Sequence, residues 1–72
     1  MNWKQITQTK HNTVIDFYHA KCMGTHFMVA HSRHRTKSEL YIGTNTVPIG
    51  KFNTVDAAIR SAENMAHRMM TA

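Results

Sequence analysis

The stretch from Ile49 to Met70, IGKFNTVDAAIRSAENMAHRMM, restricts the fold more than any other part of the chain. Val55, Ala58, Ile59, Ala62, Met65 or Ala66, and Met69 recur at the i, i+3, i+4, i+7 spacing that gathers side chains on one face of a helix. Asp56, Arg60, Glu63, Asn64, His67 and Arg68 fall on the opposite face. Thr54 stands where a hydroxyl oxygen accepts a first-turn N–H, and Asp56 just inside it complements the positive end of the helix dipole. His67 and Arg68 suit the negative end. A helix over 54–70 with one apolar face needs a sheet to cover.

The segments before it supply that sheet. Thr13 to Lys21, TVIDFYHAK, is rich in strand formers and alternates Ile15, Phe17 and His19 with Val14, Asp16, Tyr18 and Ala20. Placing Asp16 outward turns Ile15 and Phe17 toward the core. Cys22-Met23-Gly24 reads as a turn, since Gly24 accepts a positive φ without steric cost. Thr25 to His31 is the partner strand, with Phe27 and Val29 inward and His26, Met28 and Ala30 outward. Ser32 to Ser38, SRHRTKS, has no apolar side chain and forms a cationic loop. Leu40 and Ile42 face inward on a third strand with Tyr41 outward. Asn45 to Pro48 turns the chain, because Pro48 lacks the N–H that a central strand needs. Ile49 to Phe52 is a short last strand. Residues 1–12 hold only Trp3 and Ile6 as apolar anchors. They fit a short strand, or a loop whose Trp3 plugs one edge of the core.

The expected architecture is a single α+β domain. A three- or four-stranded antiparallel sheet spans 13–52, and the C-terminal helix packs on one of its faces. At 72 residues the chain buries little core, and pairing with a second copy is one way to bury more. Met65, Met69 and Met70, with Met28 and Met23, read as flexible core filler. A methionine-rich helix end is also the kind of adaptable surface that binds other proteins.

Nine Lys and Arg against four Asp and Glu give a net charge of +5 and a pI near 9.9. A polyanion or an acidic protein surface is the first partner to consider. A single cysteine, Cys22, rules out an internal disulfide and favours a reducing compartment. With no long apolar run and a polar N-terminus, neither a membrane nor a signal peptide is expected, and a cytoplasmic location is. Cys22, His26, His31 and His34 have a C-x3-H-x4-H-x2-H spacing, yet His26 and His31 lie five positions apart on one strand and so point to opposite faces. No metal site, cofactor or catalytic group is expected: the four acidic residues are dispersed, and nothing lowers the Cys22 pKa or orients a base beside it.

Ile49, Gly50, Phe52, Thr54, Asp56 and Ala58 follow a pattern of aliphatic residue, Gly, x, Phe, x, Thr, then acidic residue and alanines. This resembles the end of the three-stranded-sheet-plus-helix DNA-binding domains of APETALA-type plant factors and of the arm-site-binding domains of phage tyrosine integrases. Small phage proteins of β-β-β-α type end similarly. The resemblance covers about a quarter of the chain. It implies a helix that supports a sheet and a sheet that enters the DNA major groove; the arginine-rich strands of the plant domains have no counterpart here.

The candidate binding residues are Arg33, His34, Arg35 and Lys37 of the basic loop, with Lys51, Tyr41 and His26. They form a cationic patch beside an aromatic ring, suited to phosphate contacts that weaken with salt. Asp56 repels phosphate at the helix start, which directs the search away from that helix end. The expected function is non-enzymatic DNA binding, of phage or mobile-element type. The alternative is a phage-encoded inhibitor or adaptor that docks on an acidic host protein, such as a defence or nucleic-acid-processing complex.

Overall fold

The computed structural model describes residues 1–71. Its elements are β1 (Lys4–Lys10), β2 (Thr13–Cys22), β3 (Thr25–Ser32), β4 (Ser38–Ile42), β5 (Gly50–Phe52) and α1 (Val55–Thr71). Each strand pairs antiparallel with the next, so the sheet runs β1-β2-β3-β4-β5. The α+β architecture is present, with a further strand, β1, in front of the four expected. Among the described residues, no helix is long and apolar enough to cross a membrane.

Two tight turns set the register of the first three strands. His11 and Asn12 have φ of 52° and 64°, and Met23 and Gly24 have 52° and 79°. Two successive positive φ values are the signature of the two-residue hairpin turn whose twist matches that of its strands. Asn and His tolerate this region better than most residues, which is why a hairpin forms at His11-Asn12 without a glycine.

The core lies between α1 and the strands β3, β4 and β5. Ala58, Ala62 and Ala66 are buried at a four-residue pitch, and Phe27, Val29 and Leu40 are fully buried beneath them. The alanine stripe lets the helix backbone approach the sheet, so three larger side chains suffice to fill the gap. Val55, Ile59, Met65 and Met69 flank the stripe, half-buried. The Thr54 hydroxyl accepts the Ala57 N–H at 3.1 Å, which makes Thr54 the N-cap. Phe52 closes the junction between sheet and helix, and its ring lies 3.2 Å from where a Cβ on Gly50 would stand. Glycine at 50 leaves room for that ring.

The N-terminal segment does both things its sequence allowed. Lys4–Lys10 forms an exposed edge strand, and Trp3 packs at the core margin. The indole N–H of Trp3 donates to Glu63 Oε2 at 3.2 Å, and the Met1 ammonium lies 3.7 Å from the same carboxylate.

Two expectations are overturned. The facing of β2 is inverted: Asp16, Ala20 and Cys22 are buried on the helix side, with Tyr18 against the core, while Ile15, Phe17 and His19 lie on the uncovered face. The small Ala20 and Cys22 fit beside the closely approaching helix. Asp16 is accommodated because the Thr7 hydroxyl donates to it at 2.7 Å, the Gln5 amide at 3.5 Å and the Arg33 guanidinium at 3.2 and 3.3 Å. The methionines divide as well. Met65 and Met69 fill the core margin, Met70 and Met23 are 59% and 72% exposed, and Met28 lies on the open face.

Candidate nucleic-acid interface

The sheet face turned away from α1 has no element over it. Strand register places Lys4, Ile6, Gln8 and Lys10 of β1 there, alongside Ile15, Phe17, His19 and Lys21 of β2. His26, Met28, Ala30 and Ser32 of β3 continue it, followed by Glu39 and Tyr41 of β4 and Lys51 of β5. The floor is apolar and aromatic: Phe17, Met28 and Tyr41 are half-buried by their neighbours, and Ile6 is 50% exposed. The rim is cationic.

His19 and His26 make an unusual floor element. His19 Nδ1 lies 2.9 Å from His26 Nε2, the ring centroids are 5.1 Å apart and the planes differ by 7°. Face-to-face rings need about 3.5 Å between their planes, so a 2.9 Å nitrogen contact between parallel rings places them edge to edge. One nitrogen donates and the other accepts, and the two imidazoles form a single flat plate. Phe17 continues it, with its centroid 6.2 Å from that of His19 at an interplanar angle of 29°. Burial, and then the neighbouring His26 charge, lower the His19 pKa, because two protonated rings would aim their N–H groups at one another.

The basic loop is only partly available. Arg33 turns to the helix side and grips Asp16 through Nε and Nη2 at 3.2 and 3.3 Å. His34 Nε2–H donates to the Asn12 carbonyl at 3.3 Å, tying the loop to the β1–β2 turn. Lys37 Nζ donates to Asn53 Oδ1 at 2.6 Å. Arg35, Lys37 and Lys51 remain together around a hollow of about 330 Å³ next to Glu39. Arg35 and Lys37 also border a neighbouring hollow of about 320 Å³ with Phe17 and Tyr41. Burial, and then the Glu39 charge, raise the Tyr41 pKa, so its hydroxyl stays a donor. Tyr41 thus joins the loop cations, and His26 lies toward the other end of the face. There a hollow of about 710 Å³ is bordered by Met1, Lys4, Ile6, His19, Lys21 and His26.

Phe17, His19, Met28, Lys4 and Lys21 also line this face and were not among the candidate residues of the sequence. The alternation of IDFYHAK shows two different faces and does not say which of them the helix covers. Lys4 and Lys21 are far apart in sequence, and only the register of β1 on β2 brings them together. The Cys/His spacing does not converge: Cys22 is buried in the core, His31 Nδ1 lies 3.1 Å from Ser38 Oγ on the helix side, and His26 is across the sheet. His19 and His26 offer two nitrogens where a zinc site takes three or four ligands.

Charge is partitioned by face. Lys4, Lys10, Lys21, Arg35, Lys37 and Lys51 belong to the open side, against Glu39. The other cations, Arg33, Arg60 and Arg68, are matched in number by Asp16, Asp56 and Glu63 on the helix side. The entire net charge of +5 therefore resides on the open face and its rim.

Comparisons with known proteins return nothing for this chain. No family model, curated protein or solved structure matches it.

Two titrations work against the fold in acid. Arg33, and then Thr7, hold the Asp16 carboxyl below its usual 3.8, and His19 is held below its usual 6.5. Both native pKa values are depressed, so the unfolded chain binds protons first and stability falls as pH falls. The first loss is expected below about pH 6.5 and the second below about pH 3.8. Thermal melts across pH 8 to 3 test this. A His19→Gln variant should lose the first decline and keep the second; an unchanged profile would exclude His19 as its source.

Proposed function

We propose that this protein is a small non-enzymatic nucleic-acid-binding protein, of phage or mobile-element type and cytoplasmic, that grips DNA through its open sheet face and the adjoining Arg35–Lys37 loop. One observation carries the reading: the whole excess positive charge lies on one face, around an aromatic floor that no other element covers. A solvated surface with no partner has no reason to segregate charge this way, whereas a polyanion is drawn to such a face. The likeness of Ile49 to Arg60 to sheet-reading DNA-binding domains supports the same face, because there too the helix is the support.

The test is a salt-titrated mobility shift with labelled duplex and single-stranded DNA. Binding is expected at low salt, with log K falling linearly in log[salt]. Replacing Arg35 and Lys37 by Ala should weaken binding and flatten the slope by about 1.4 to 1.8, the counterions of two phosphates. Failure of both DNA forms to bind at low salt would sink the reading. The apolar content of the same face, with Ile6 half exposed, also favours the second reading, an inhibitor or adaptor on an acidic host protein. That reading requires capture of a specific protein from host lysate that persists after nuclease treatment.

A further inference from the structure

We infer that the strand taken by the open face is unpaired: its bases stack on Phe17 and the His19–His26 plate, and its phosphates run along the Lys4 and Lys21 rim. This rests on the nucleic-acid reading above and narrows it to single-stranded DNA or RNA.

The shape of the floor favours unpaired bases. The floor groups are half-buried among their neighbours and do not project as a groove-reading element must. Base contact at a recessed flat floor therefore requires bases that come to it, and unpaired bases do so. Phe17, His19 and His26 gather three aromatic rings side by side on this face, the kind of group on which unpaired bases stack. The cations stand at the edges of that floor, where the phosphates of a strand lying base-down would pass. The hollow of about 710 Å³ beside the plate, with Lys4 and Lys21 on its border, provides the space. A second copy is a poor occupant, because face-to-face pairing would set two cationic rims against each other.

Fluorescence anisotropy with a labelled thymidine dodecamer, a uridine dodecamer and a mixed-sequence duplex of equal length tests the assignment. At least one single strand should bind tighter than the duplex at every salt concentration. Phe17→Ala should weaken single-strand binding about tenfold and leave duplex binding unchanged. Phe17→Leu keeps apolar bulk without the ring and should behave like Phe17→Ala, while Phe17→Trp should restore affinity. Circular dichroism confirms that each variant is folded. Tighter duplex binding, or single-strand affinity indifferent to Leu and Trp at 17, overturns the inference while leaving DNA binding intact. Dimerisation through this face, detected by sedimentation and lost in Phe17→Leu, would overturn it in favour of a second copy. Retention of polyglutamate but of no nucleic acid would overturn it together with the reading beneath it.

Discussion

Phe27→Ala is expected to lower stability by about 3 to 5 kcal/mol and the thermal midpoint by at least about 12 °C. Phe27 is fully buried, faces the alanine stripe and is the largest of the few wholly buried side chains. A chain of this size has a total stability of only roughly 4 to 11 kcal/mol, so one cavity there removes about half of it. The alanines cannot close the void, because the helix already rests on the sheet and a methyl group reaches no further. The informative control is Phe17→Ala, the same truncation on the uncovered face, where the ring is already half solvated. It should cost far less. Urea and thermal denaturation by circular dichroism measure both, and equal losses would mean that the core does not lie on the helix side.

Reversing Lys4 and Lys21 to Glu together is expected to weaken nucleic-acid binding on the order of a hundredfold at low salt. The salt slope should fall by about 1.4 if the two side chains each neutralise a phosphate of a single strand. Both residues are exposed, so the fold should melt unchanged. Arg60→Glu with Arg68→Glu makes the same change in net charge on the helix side and should leave the slope nearly as it was. The comparison separates face from bulk charge. Equal losses in the two double variants would show that net charge alone drives binding and that the open face has no special part.

The C-terminal half was legible because its signals are local. The Thr54 cap, the alanine spacing and Phe52 after Gly50 need only near neighbours in the chain, and each stands where the pattern put it. The facing of β2 was not legible, because the partners that make a buried Asp16 acceptable come from elsewhere. Gln5 and Thr7 arrive on β1 and Arg33 from the loop after β3. Alternation reports that two faces differ, and the helix decides which is inside. A hint was present: Ala20 and Cys22 share parity with Asp16, and small residues belong where an alanine-faced helix approaches. Strand β1 was legible only as one of two alternatives, strand or loop, because its turn uses His11-Asn12 in place of a glycine and its side chains are exposed. The basic loop was legible as a charge, but the loss of Arg33 to Asp16 followed from the same unread pairing.

The separation of charge across the sheet makes the protein an electric dipole whose positive end is the open face. In the field of an anionic surface, such a body feels a torque before it touches anything. It turns that face forward during approach, and fewer encounters are wasted on wrong orientations. The neutral helix side trails. Orientation on arrival is thus set by where Asp16, Asp56 and Glu63 sit as much as by the lysines opposite.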